Sequence, residues 1–123
     1  MKLSFKKMQI EQLIISIQKR PKMFVKEERI DYIYYLLSGY CGANNKLSKD
    51  DMDQRFCIWF NQWLIMWIVD NVDAEYSPKT AYWYDDIRMI AKNEQNEVDM
   101  FFELCNMFFE DYRNKTGYFS WRK

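Results

Sequence analysis

The 123-residue sequence contains no histidine, and it has only three glycines, two prolines and three cysteines. Without histidine, the chain lacks the residue most often used for proton transfer near neutral pH and for activating a serine or cysteine nucleophile. The three glycines, at positions 39, 42 and 117, fit neither the phosphate-binding loop nor the dinucleotide-binding pattern. So few glycines and prolines also provide little turn chemistry for an all-β fold. These absences exclude several enzyme classes and favour helices.

The three cysteines are Cys41, Cys57 and Cys105, and each lies in an apolar stretch. Their number is odd and their spacing is wide, which is not typical of a zinc site. We therefore expect three buried free thiols, as in a cytoplasmic protein, and no metal or cofactor.

Two further observations favour the cytoplasm and a protein that does not span a membrane. Polar residues interrupt the apolar run within residues 1–20, which therefore lacks the apolar core of a signal peptide. The longest apolar stretch, residues 56–69, contains Asn61 and Gln62 and is shorter than the ~20 residues of a membrane span.

Hydrophobic residues make up 49% of the chain and aromatic residues 19%, which is sufficient for a buried core in one domain covering residues 1–123. Apolar residues recur at steps of three and four, the period of an amphipathic helix. We predict an all-α fold, a compact single-domain bundle of about five helices. The predicted segments are 7–19, 28–44, one that starts near residue 50 and runs through Ile68, one that starts at Ser77 and Pro78, and 94–113.

Two of these segments carry specific end signals. The third begins at an acidic cluster, Asp50, Asp51 and Asp53, which suits the positive end of a helix dipole. Its aromatic stripe places it at the centre of the fold. The fourth begins at Ser77 and Pro78, read as the N-cap and the first helical residue.

The net charge of zero conceals a strongly uneven distribution. Residues 1–49 contain ten basic and four acidic residues, whereas residues 50–111 contain four basic and fourteen acidic ones. An acidic middle region points to a basic partner and away from direct nucleic-acid binding, which requires a basic surface.

Two acidic features are predicted to contact a partner. The first surrounds the connection between the third and fourth segments and combines carboxylates with aromatic rings: Asp70, Asp73, Glu75, Tyr76, Tyr82, Asp85 and Asp86. The second is a polar stripe on the fifth segment, formed by Asp99, Glu103 and Glu110 with Asn106 between them. Rigid aromatic area with surrounding charge favours protein binding near the connection, although Trp83 and Tyr84 there could equally belong to the core. For the stripe, a solvated helix face is the favoured explanation over a binding surface.

Several short strings resemble a family of small bacterial immunity proteins, encoded beside polymorphic toxins such as those of contact-dependent growth inhibition systems. They are Lys19-Arg20-Pro21-Lys22-Met23-Phe24, Ser38-Gly39-Tyr40, the pair Phe60 and Trp63, and Phe101-Phe102-Glu103-Leu104. The resemblance implies a protein that binds and neutralises one cognate toxin domain, often a nuclease. No site residue is implied by it, because such proteins contact different toxins through different surfaces.

We therefore expect a binding protein and not an enzyme, whose partner is a basic toxin domain, such as an RNase, with its active site occluded. The alternative is a helical adaptor or regulator that binds a host protein, with no toxin involved. A small enzyme that works with carboxylates would instead require a deep pocket lined by at least two acids.

Overall fold

Helices account for all the regular structure in the described part of the chain, as the sequence predicts. The computed structural model describes residues 9–43, 52–91 and 94–115. Five α-helices occur within these ranges: α1 (Ile10–Lys19), α2 (Ile30–Ala43), α3 (Met52–Asn71), α4 (Trp83–Ile90) and α5 (Glu94–Asn114). No helix in these ranges is both long and apolar enough to cross a membrane.

The chain divides within α3 into two compact units, Met1–Ile58 and Trp59–Lys123, here called the first and second units. Each is described by itself. The single domain expected from the sequence stays a prediction.

In the first unit, α1 buries Ile10, Leu13, Ile14 and Ile17 along one face, at the spacing the sequence shows. The helix ends where Pro21 requires it to end, since a residue before proline is disfavoured in the helical region. Arg20 has φ −141° and ψ 68°, and a short 3-10 helix (Pro21–Met23) follows.

A buried carboxylate connects the elements of the first unit. Asp53, in the first turn of α3, is only 4% exposed. One of its oxygens accepts a hydrogen bond from the backbone N–H of Ile10 at 3.0 Å, and the other accepts one from the Tyr40 hydroxyl of α2. Gln9 provides no side-chain cap to α1, so a residue 43 positions away supplies the acceptor and the negative charge that this helix start favours.

Asp53 lies in the first turn of α3, as the acidic cluster predicts. It also serves the N-terminus of a second helix, α1, which the sequence did not indicate. Asp50 and Asp51 lie outside the described residues.

The expectation of three free thiols is wrong. Cys41 of α2 and Cys57 of α3 form a disulfide with their Cα atoms 5.7 Å apart, within the range that disulfides require. Only Cys105, in the second unit, remains a buried free thiol among the three. Burial raises the pKa of its thiol well above the ordinary value, which makes it unreactive.

The second unit is built on an aromatic cluster. The ring of Phe60 in α3 lies 5.4 Å from Trp83 of α4 and 5.6 Å from Phe108 of α5, centroid to centroid, both edge to face. Trp83 stacks on Phe101 at 4.8 Å with nearly parallel rings. Trp63 donates its indole N–H to Asp111 Oδ2 at 3.1 Å. The predicted aromatic stripe of α3 thus contributes to a core, and it fixes the first residue of α4 against α5.

The Asp53 contacts predict a large loss of stability on substitution. Asp53→Ala removes the acceptor of both donors and is expected to lower the free energy of unfolding by about 3 kcal/mol. Tyr40→Phe removes one donor from a buried carboxylate oxygen and should lower the free energy of unfolding by about 1–2 kcal/mol. Urea unfolding followed by circular dichroism measures both. The control is Glu103→Ala, an exposed change expected to stay within about 0.5 kcal/mol, and equal effects of Asp53→Ala and this control would contradict the assignment.

The disulfide predicts the number of reactive thiols. Titration of the denatured chain with a thiol reagent should give one thiol per chain without reductant and three after reduction. Cys41 and Cys57 are 16 positions apart, and opening a loop of this size should lower stability by about 3 kcal/mol. A Cys41→Ala, Cys57→Ala double variant should be insensitive to reductant. Three thiols in the unreduced chain would show that the bond does not form.

Candidate functional site

The connection between α3 and α4, residues 72–82, is folded by its own hydrogen bonds. The backbone N–H groups of Val72 and Asp73 both donate to the carbonyl of Ile68, which ends α3. The Asp73 carboxylate then accepts the N–H of Glu75 at 3.0 Å, and the Asp73 carbonyl accepts the N–H of Tyr76 at 3.0 Å. Aspartate is a common turn residue because its side chain can accept a nearby N–H in this way.

The predicted start of the fourth helix is wrong. Ser77 and Pro78 lie in the connection, and α4 begins only at Trp83. Its N-cap, Tyr82, is extended and provides no side-chain cap. Thr80 bonds to both sides of the start: its hydroxyl accepts the N–H of Tyr82 at 3.2 Å and donates to Asp85 Oδ2 at 2.9 Å. The helix begins where Trp83 can pack in the aromatic core. The local Ser-Pro pattern contains no information about that packing.

The connection and α4 together form a groove of about 530 Å³, here called the acidic groove. Its charged lining residues are four acids, Asp73, Glu75, Asp85 and Asp86, and two bases, Lys79 and Arg88. Tyr76, Thr80 and Met89 also line it. Its volume is within the range of small-ligand sites, and negative charge is in excess.

The groove brings together five of the predicted contact residues: Asp73, Glu75, Tyr76, Asp85 and Asp86. Two others from the same part of the chain, Asp70 and Tyr82, are exposed but do not line it. The three acids of the α5 stripe, Asp99, Glu103 and Glu110, are also exposed and lie outside it. The stripe stays a prediction, because exposure is common to a solvated face and to a binding face.

Asp86 differs from the other acids because it is buried, with only 1% of its surface exposed. Its Oδ1 accepts a hydrogen bond from the Tyr76 hydroxyl. Its Oδ2 is buried and has no hydrogen-bond partner within the described ranges. Asp86 was expected at the surface as a partner contact. The structure instead buries it in the first turn of α4, hydrogen-bonded to Tyr76.

Burial dominates the ionisation of this pair. Loss of water raises the pKa of Asp86, the hydrogen bond from Tyr76 lowers it, and the neighbouring charge of Asp85 raises it again, with a net upward shift. Burial also raises the pKa of Tyr76, and the hydrogen bond to Asp86 adds to that shift. The Tyr76 hydroxyl therefore keeps its proton at neutral pH and remains the donor.

Arg88 is a groove residue that was not among the predicted contacts. Its guanidinium lies 3.2 Å from Glu97 of α5 and 4.0 Å from Asp85. It also lies 5.0 Å above the ring of Tyr84. Nothing in the local sequence indicates that Arg88 pairs with Glu97, because Glu97 belongs to the next helix.

No group of three or more histidine, cysteine or acidic side chains in the described part of the chain is arranged to hold a metal ion. Comparisons of the chain with protein families, with characterised proteins and with solved structures find no match. The groove therefore has to be interpreted from its own chemistry.

The raised pKa of Asp86 predicts a specific pH dependence of stability. The folded state holds the proton more tightly than the unfolded state, so Asp86 contributes stability that is complete below the ordinary value of 3.8 and is lost as pH rises through the folded pKa. Asp86→Asn keeps an acceptor for Tyr76 but does not titrate. Its stability relative to the parent should therefore increase from about pH 4 upward and then level off.

Urea unfolding of both proteins at several pH values measures this difference. Glu103→Gln, at an exposed acid outside the groove, is the matched control and should show no such increase. A difference between Asp86→Asn and the parent that is constant with pH would contradict the assignment.

Proposed function

We propose that this chain is an immunity protein, which binds a cognate bacterial toxin domain through the acidic groove and neutralises it by occluding the toxin's active site. The observation that supports the proposal is the groove itself. Five acidic and aromatic residues selected from the sequence as partner contacts line one concave surface of the second unit. Concave sites with a few convergent polar groups are typical of binding surfaces.

The electrostatics favour a nuclease as the toxin. Sites that bind nucleic acid carry basic residues for the phosphates, and an acidic groove complements them. Four acids against two bases in the groove also accelerate encounter with a basic partner. The resemblance to immunity proteins supports the same proposal, and such a protein would act in the cytoplasm.

A reducing cytoplasm does not conflict with this use of the groove. The disulfide joins Cys41 and Cys57, which belong to the first unit, whereas every lining residue belongs to the second. Disulfides are rare in cytoplasmic proteins, so the thiol titration above also tests the proposed compartment when it is applied to protein taken directly from cells.

One observation favours a second candidate function, a small carboxylate enzyme. The groove has part of what the sequence analysis requires, a concave surface lined by more than two acids, although its depth is not established. Asp86 is also a buried acid with a raised pKa, as general acids often are. A hydrolytic reaction of the isolated chain that Asp86→Asn abolishes and Glu103→Gln preserves would support catalysis in place of binding.

Binding through the groove predicts a charge-dependent association rate. The double variant Asp73→Lys, Glu75→Lys reverses two exposed groove acids and should slow association with a basic toxin domain by about tenfold at low salt, with the effect disappearing at high salt. The proposal expects a toxin gene beside this one, and the partner in the assay is the C-terminal domain of that toxin. Stopped-flow mixing measures the association rate. Circular dichroism checks that the fold is kept.

The matched control is Glu103→Lys with Glu110→Lys, which changes the net charge equally on the α5 stripe. Equal slowing by both double variants would mean that net charge alone acts. Slowing by the control alone would move the contact surface to α5. Absence of any complex or protection on co-expression with the toxin domain would refute the immunity function.

A further inference from the structure

We infer that the acidic groove is an arginine subsite, in which a guanidinium group of the partner enters and donates a hydrogen bond to Asp86 Oδ2. This inference deepens the proposed function and rests on it for the identity of the partner as a protein. The subsite itself is defined by Asp86, Asp85, Tyr76 and Met89.

The incomplete hydrogen bonding of Asp86 is the first argument. A buried polar atom without a partner is uncommon in folded proteins because each one loses its hydration without replacement. Oδ1 is satisfied by Tyr76, whereas Oδ2 is buried and has no partner in the described residues. Asp86 lines the groove but its Oδ2 is covered, so a donor that enters from outside completes the set once the side chains over this oxygen shift to admit it.

The surroundings favour guanidinium over other cations. Guanidinium is planar, carries five N–H donors and is more weakly hydrated than ammonium, so it is suited to partly buried carboxylates. Met89, which is 59% exposed, and the ring of Tyr76 provide apolar surface for the side-chain stem. A metal ion is disfavoured by the absence of a three-ligand cluster among the described residues.

The two bases of the groove leave room for another cation. Arg88 is held by Glu97, by Asp85 and by the ring of Tyr84, and Lys79 is exposed. Two bases against four acids leave an excess of negative lining charge. A bound guanidinium would reduce that excess of negative charge, whereas a bound anion would increase it.

The subsite also predicts a proton linkage. The groups that act on the Asp86 carboxyl are Tyr76 and Asp85, and their combined effect with burial is a raised pKa. A cation prefers the ionised carboxylate, so its binding must displace the proton from whatever fraction of Asp86 is protonated. Affinity for the cation should therefore rise with pH until Asp86 is fully ionised, and proton release should accompany binding below that point.

The experiment uses the full chain, labelled with ¹⁵N, and three end-blocked tripeptides: glycine-arginine-glycine, its lysine analogue and its neutral citrulline analogue. NMR titration of each up to about 10 mM detects affinities in the weak range expected for one side chain. The arginine peptide should shift the backbone amides of Tyr76, Ser77, Lys79, Thr80 and residues 85–89. The lysine peptide should bind more weakly, and the citrulline peptide should cause no shift.

Two variants test the role of Asp86. Asp86→Asn keeps an acceptor for Tyr76 and should weaken the arginine peptide about tenfold and remove the pH dependence of its affinity. Glu28→Gln, at an exposed acid of the first unit that lies outside both predicted contact surfaces, should change neither. The inference is overturned if the arginine peptide causes no shift, if shifts lie elsewhere, if arginine and lysine bind equally, or if Asp86→Asn binds as the parent does.

The outcome is separable from that of the proposed function. Arginine binding without any toxin complex would keep the subsite and reject the immunity function. A toxin complex that forms and protects cells, together with no arginine binding in the groove, would keep the immunity function and reject the subsite.

Discussion

Removing a carboxyl group from water requires hydrogen-bond donors in its place, and the described part of this chain buries two such groups, Asp53 and Asp86. Asp53 has donors on both oxygens, one from the start of α1 and one from α2. Asp86 has a donor on one oxygen only. The same physical requirement therefore gives two results. A completed set connects elements of the first unit, whereas the incomplete set in the second unit leaves the acceptor on which the proposed arginine subsite rests.

The helices were largely predictable because their signal is local and repeated. Apolar steps of three and four define the α1 face, and Pro21 ends that helix as expected. The fifth segment, predicted as 94–113, is observed as Glu94–Asn114. The start of α4 was missed because Ser77 and Pro78 form a valid local start signal, while the actual start depends on Trp83 stacking against Phe101, which is distant in sequence.

The groove was predictable only in part. The acidic and aromatic residues near the connection predicted the region where the groove lies, because the excess of acidic charge there is visible in the sequence. Burial of Asp86 could not be read from the sequence, because it follows from packing of α4 and not from its neighbours along the chain. The Cys41–Cys57 pair was missed for a similar reason: an odd number of cysteines does not indicate which two meet, and their meeting depends on how α2 approaches α3.

The connection between α3 and α4 contributes no side chain to the buried core of the described residues: residues 72–82 are exposed or half-buried throughout. Most substitutions there should therefore alter stability by less than about 0.5 kcal/mol. The residues after it, Trp83, Asp86 and Ile87, are buried and constrained. In the proposed groove, the exposed residues of the connection could therefore diverge while Asp86 and the rest of α4 stay unchanged. A lineage of such proteins could then alter its choice of partner around a carboxylate that the scaffold holds constant.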